Sequence, residues 1–372
     1  MPHPTTRDEH DDLDGPPPEP VHYAEQSLLG ALLLDPHRLG ETGPLDPGHF
    51  SNPAHGALFR AMRAAPEPDA EQQGASPSWL NTVLAAARPH APALSAPYLH
   101  TLIQVCPRPQ HAATYAKMIR ADHARRCLRL HAGRLAQTAA DTTLPHRATA
   151  TLQQADVLSR FLDGLSGRFP PHPGSLPRTP LPAPPARDTG DEALDEERLL
   201  IATATAHPDE ARQMRWLAPE DFALPLHSAL WQCLTSLIHC GTPIDPVTVL
   251  WQAQRHGLLS HDITPTDLLA LLSTPVGSPE HWGEKVLQRA VLTRALSVAL
   301  RITAYADDPA NSPHQLATGG RRALADLTAL RSRWQHATSP AAPRTTHHGL
   351  VSAAPRAGPS PRTAPAPIRA PR

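Results

Sequence analysis

The sequence predicts an all-α protein of two tandem small helical bundles, each with a carboxy-terminal helical hairpin, joined by a proline-rich linker. Three observations carry that expectation. Leucine and alanine recur at helical spacing, and no stretch alternates apolar and polar residues over the length a strand needs. Proline supplies 45 of the 372 residues but is concentrated at the ends and near the middle, which leaves two leucine-rich regions able to pack. Those two regions repeat each other at a fixed offset, the mark of a duplicated unit.

Residues 1–20 hold Asp8, Glu9, Asp11, Asp12, Asp14 and Glu19 against a single Arg7, and read as a disordered acidic tail. The first bundle occupies 21–166. Its opening helix carries Glu25, Leu28 and Leu29 and closes at Pro36, matched 172 residues later by Glu197, Leu200, Ile201 and Pro208. The same offset pairs Leu45 with Leu217, Phe50 with Phe222, Pro53 with Pro225, His55 with His227 and Phe59 with Trp231. His55, Leu58, Phe59 and Met62 fall at i, i+3, i+4 and i+7, one face of a helix, as do His227, Leu230, Trp231 and Leu234. Proline suits the first turn of that helix because its missing N–H has no intrahelical partner there; Asn52 can cap the first copy, and Leu224 cannot cap the second.

A long helix over 112–140 is answered by one over 280–306, now at an offset of 168, with Lys117 matching Lys285 and Arg126 matching Arg294. A second amphipathic helix follows each, near 148–165 and 313–334, so each copy ends in a helical hairpin. Between the copies, residues 167–190 carry eight prolines and read as an extended spacer. The second bundle spans 191–336, and 337–372 is a basic tail of proline, alanine and five arginines, expected to be disordered.

Composition excludes several classes. A formal charge of −1 gives no strong overall field toward nucleic acid. Cys106, Cys127, Cys233 and Cys240 form no Cys-x-x-Cys pair, so neither zinc nor a disulfide framework is indicated. No apolar run approaches 18 residues and no leader precedes the first helix, which points to a cytoplasmic protein without a membrane span.

The segment Ala24-Glu25-Gln26-Ser27-Leu28-Leu29-Gly30-Ala31-Leu32-Leu33 resembles the opening helix of the amino-terminal domain of DnaB-type replicative helicases. Phe50 with His55, Leu58, Phe59 and Met62, and Gly241-Thr242-Pro243-Ile244-Asp245 in the second copy, resemble that domain's next signatures. The second copy departs from the pattern in its opening helix, and the first is degraded after Met62. The resemblance implies a bundle with a hairpin, assembly into a collar in hexameric helicases, and a part in recruiting primase. The unwinding chemistry of that family lies in a separate RecA-like ATPase. Here Lys117 follows alanine and Lys285 follows glutamate, and these are the only lysines, so no phosphate-binding Gly-x-x-x-x-Gly-Lys-Ser/Thr loop can be written. The expectation is therefore a chain that is no enzyme and takes no cofactor or metal.

The 23 histidines suggest acid–base or metal chemistry, but His55 and His227 recur on the core-facing stripe and read as buried structural groups. Glu196 with Glu197, and Glu220 with Asp221, stand near helix starts, where they answer the helix dipole. Arg120, Arg125, Arg126 and Arg129 on the first long helix, with Arg289 and Arg294 on the second, form a basic band that is either a solvated face or a contact for DNA or a protein partner. The expected function is a replication-associated scaffold that binds a replicative helicase, a primase or a loader-like protein, or self-assembles. The alternative is a DNA-binding accessory protein using the arginine-rich helices and tail. Apolar core positions kept in both copies argue against a decayed helicase fragment.

Overall fold

The computed structural model describes residues 19–66, 77–187 and 189–339, among which there is no strand. The acidic residues 1–18 and the basic residues 340–372, expected to be disordered, lie outside that set. The first copy contains α1 (Pro20–Leu34), α2 (Pro53–Ala64), α3 (Pro77–Ala87), α4 (Ala96–Val105), α5 (Ala112–Ala140) and α6 (Arg147–Arg168). The second contains α7 (Asp191–Ala206), a short α8 (Pro208–Ala211), α9 (Pro225–Cys240), α10 (Pro246–Arg255), α11 (Pro265–Leu272), α12 (Pro279–Asp307) and α13 (Pro313–Thr338).

Nine of these thirteen helices begin on proline, so within the copies the residue marks helix starts instead of breaking helices. Side-chain caps reinforce several of those starts. Asn52 accepts from the Ala54 N–H, Ser95 from Tyr98, Asp245 from Val247 and Thr248, and Thr264 from Asp267. The expected lack of a side-chain cap at Leu224 is observed.

Each copy divides into a head and a hairpin. The first head packs Leu28, Leu29 and Leu32 of α1 with Phe50, Leu58, Phe59, Val83, Leu99 and Leu102, and closes on Ala116 and Ile119 of α5. Gly30 lets α1 approach α4 directly: a Cβ there would stand 2.1 Å from the carbonyl oxygen of Leu102. The second head packs Leu200, Ile201, Phe222, Leu230, Trp231 and Leu234 and closes on Val286, Leu287 and Val291 of α12.

The two hairpins pack on each other. Leu128 and Leu135 of α5, Leu158, Leu162 and Leu165 of α6, Val298 and Ile302 of α12, and Leu316 and Leu327 of α13 form one apolar core that belongs to neither copy alone. The helices run antiparallel across it. Arg125 of α5 meets the carboxy-terminal end of α12, donating to the carbonyls of Ala306 (3.2 Å), Asp308 (2.6 Å), Pro309 (3.3 Å) and Asn311 (2.8 Å). Ala148 and Leu152, at the start of α6, join the core of the second head. Asp163 pairs with Arg321 at 3.5 Å, and Asp156 with Arg331. The heads therefore sit at opposite ends of a shared bundle.

Among the described residues, the expected extended spacer has no regular secondary structure beyond Arg168, but it is tied down. Pro170 and Leu176 offer carbonyls to His314 Nδ1 (2.7 Å) and Gln315 Nε2 (3.2 Å), and Thr179 donates to Asp308 Oδ2 (2.6 Å). Pro177 packs where Gly319 leaves the surface of α13 open. Proline lacks a backbone donor but keeps its carbonyl, so a proline-rich strand can still be held by donors from a neighbouring helix.

Arg125 satisfies carbonyls that the end of α12 leaves without intrahelical partners. Arg125→Met is expected to lower the unfolding free energy by about 1.5–3 kcal/mol, the range for hydrogen bonds involving a charged group. Urea denaturation followed by circular dichroism measures it, and an unchanged midpoint would remove Arg125 from the forces joining the hairpins.

Candidate functional site

The polar groups that both copies repeat lie inside the heads. Glu25 on α1 is fully buried, and its Oε2 lies 2.7 Å from His55 Nδ1 on α2; His55 Nε2 in turn meets Tyr98 Oη at 2.6 Å. The same carboxylate accepts the backbone N–H groups of Ser51 and, at 3.4 Å, Asn52, just ahead of α2. In the second copy Glu197 meets His227 Nδ1 at 2.7 Å and accepts from Ala223 (2.5 Å) and Leu224 (3.4 Å). A glutamate from the first helix thus caps the approach to the next one, which supplies acceptors where Leu224 cannot. Burial pushes the Glu25 carboxyl up, but the hydrogen bonds from His55 and Ser51 outweigh it and hold the pKa below the ordinary 4.5. With at most 1% of either histidine exposed, the pairs are closed to a substrate and hold the heads together.

Of the other acidic pairs, Glu220 and Asp221 do stand in the first turn of the short 3-10 helix Pro219–Asp221, whereas Glu196 lies beyond the first turn of α7. Glu196 takes Lys285 at 2.7 Å together with Arg289. Asp221 takes both terminal nitrogens of Arg333 at 2.6 and 3.0 Å.

The arginine band is largely used within the chain. Arg120 donates to the Thr42 carbonyl (3.3 Å), Arg126 to Asp122 (2.7 Å) and the His49 carbonyl (2.7 Å), and Arg129 to Asp307 (2.6 Å). Arg125 joins the hairpins, and Arg289 adds the Ala193 carbonyl at 3.3 Å to its pair with Glu196. Arg294 is exposed and has no such partner among the described residues. The structure does not gather the six into one open basic surface. The side chain–carbonyl bonds that hold five of them span up to 186 residues, out of reach of any local pattern.

One cluster had no sequence signal. His49, before α2, lies against His123 of α5 with ring centroids 4.4 Å apart, and Cys127 Sγ stands 3.4 Å from His123 Nε2. Burial, then the charges of His49, Arg126 and Arg168, push His123 down to about 4 against a weaker opposing effect of Asp122. His49 is lowered in the same direction, chiefly by burial, and burial pushes the Cys127 thiol up. At neutral pH these are uncharged groups packed under a rim of arginines, and the thiol is no nucleophile. Among the described residues no group of three or more His, Cys, Asp or Glu side chains is placed to hold a metal ion. No helix among them is long and apolar enough to cross a membrane.

A model of the DnaB-like helicase N-terminal domain matches residues 17–121 and 191–286, more than half of the chain and one match per copy. The chain belongs to this family. Membership ties it to DNA replication, and the matches end inside the long helices α5 and α12, so the bundle that joins the hairpins lies largely beyond them. No part of the helicase family other than this domain is matched, and the described residues contain no RecA-like fold. No curated protein and no solved structure matches the chain.

His123 gives a pH dependence whose sign follows from its direction of shift. The unfolded chain binds this proton near 6.5 and the folded chain only near 4, so the contribution is whole above 6.5 and is lost as pH falls toward 4. Glu25 acts in a lower window, losing its contribution as pH drops below 4.5. His123→Leu is expected to flatten the fall in Tm between pH 6.5 and 4 and to leave the fall below 4.5 due to Glu25. Scanning calorimetry across that range checks it, and a variant with the wild-type slope would show that His123 is solvated.

Proposed function

We propose that the chain is a non-catalytic scaffold of DNA replication in the cytoplasm, presenting two helicase-type heads at opposite ends of one bundle to a replicative helicase, a primase or a loader-like partner. The observation that carries this reading is the shared hairpin core, which makes the two family domains a single body with two separated heads. A chain built this way can engage two partner surfaces at once, and linked binding gains affinity from effective concentration without new contacts. The lack of a phosphate-binding loop supports a role without ATP turnover. The arginines tied up within the chain leave the heads as the more open means of recognition.

The test is affinity capture from cells at moderate salt, with nuclease in one arm and mass-spectrometric identification of what stays bound. The expected result is a replicative helicase or primase recovered in both arms, with no ATP hydrolysis by the pure chain. Recovery of no replication protein, or loss of every partner on nuclease treatment, would overturn the scaffold reading; the second outcome would move the function to direct DNA binding.

A further inference from the structure

The two heads can be compared position by position, and they differ beside α2 and α9. In the first head Leu39 and Arg63 line a small cavity of about 80 Å³, and Arg63 donates to the Leu45 carbonyl (3.4 Å) beside Asp46 (3.7 Å). The matching residues of the second head, 172 positions on, are Ala211, Thr235 and, for Asp46, Ala218. All three are smaller, and a groove of about 680 Å³ opens there. Met214, Leu217, Trp231 and Ile238 make its apolar wall, and the buried indole N–H of Trp231 has no acceptor among the described residues. The rim is basic. Arg212 pairs only loosely with Asp209 (3.5 Å, both exposed), Arg215 has no side-chain partner among the described residues, and His239 bonds its own helix at the Thr235 carbonyl (2.7 Å).

We infer that this groove receives residues 8–14 of a second copy of the chain. That segment, Asp8-Glu9-His10-Asp11-Asp12-Leu13-Asp14, holds one apolar side chain among five acids, complementary to an apolar wall with a basic rim. It lies in the stretch that precedes the first described residue, Glu19. The donor is another molecule because Leu13, the one side chain that meets the apolar wall, is held too close to the first head to reach its own groove. The groove's Met214 packs at Gly283 of α12, whereas the first head lies at the end of α12 where Arg125 meets Ala306. Those 23 residues of helix span about 35 Å. Leu13 is six residues from Glu19 and extends at most about 20 Å. The contact makes the chain self-associate through unlike surfaces, tail on head, and screening by salt weakens it.

Two variants separate the halves of the contact. Leu13→Ser leaves the groove intact, and Ala218→Asp with Thr235→Arg installs the residues that the first head carries in its closed version. Sedimentation velocity on the full-length chains is expected to show self-association of the wild type, at least a tenfold weakening in each variant alone, and association restored when the two variants are mixed. Circular dichroism confirms that both are folded. A wild type that stays monomeric, either variant associating like the wild type, or a mixture that fails to recover would each overturn the assignment.

Discussion

The antiparallel packing of α5 on α12 is the constraint on which the rest of the molecule depends. Each hairpin alone would leave a leucine and alanine stripe facing water, from Leu128 and Leu135 on one side and Val298 and Ile302 on the other. Burying each large side chain of that stripe is worth about 1.5–3 kcal/mol, and the partner hairpin is what buries it. The heads then have no choice of position. They close on the outer parts of the same two long helices, at Ile119 and at Val291, and end up at opposite ends. The proline-rich segment between the copies is fixed by the same arrangement, because α13 supplies donors to its carbonyls and Asp308 at the end of α12 accepts from Thr179.

Inside each head a second constraint repeats. A carboxylate removed from water is costly unless its acceptor sites are filled, and Glu25 and Glu197 fill theirs with a histidine and with backbone N–H groups ahead of a helix. The arrangement couples the first helix to the start of the next one and fixes the side-chain direction of both. It is the reason a glutamate and a histidine 30 residues apart recur together in the two copies.

Duplication kept the frame and released the details. Arg125, which ties α5 to the end of α12, has Thr293 as its counterpart 168 residues on, so the pairing of the hairpins is one-sided in its polar contacts although nearly symmetric in its core. Gly56 lies so close to the Pro47 carbonyl that a Cβ would stand 2.4 Å from it, while Ser228 at the matching position turns the same approach into a hydrogen bond of 2.7 Å. Such differences make the heads two surfaces with distinct chemistry on one scaffold.

The sequence by itself determined the local and the repeated features. Helical periodicity placed the long helices, with α5 at the expected residues and α12 within one residue of them at each end, and the fixed offset identified His55 and His227 as buried core groups. These were legible because helix formation and burial on one face depend on neighbours three and four residues away. Only the tertiary structure decided that the hairpins of the two copies bury each other, that the proline-rich strand is held, and that five of six arginines in the band face in-chain acceptors. Those outcomes rest on carbonyls and side chains far away in the chain, which no spacing rule connects. His49 and His123 became uncharged neighbours for the same reason: a pKa is set by what surrounds the group in space.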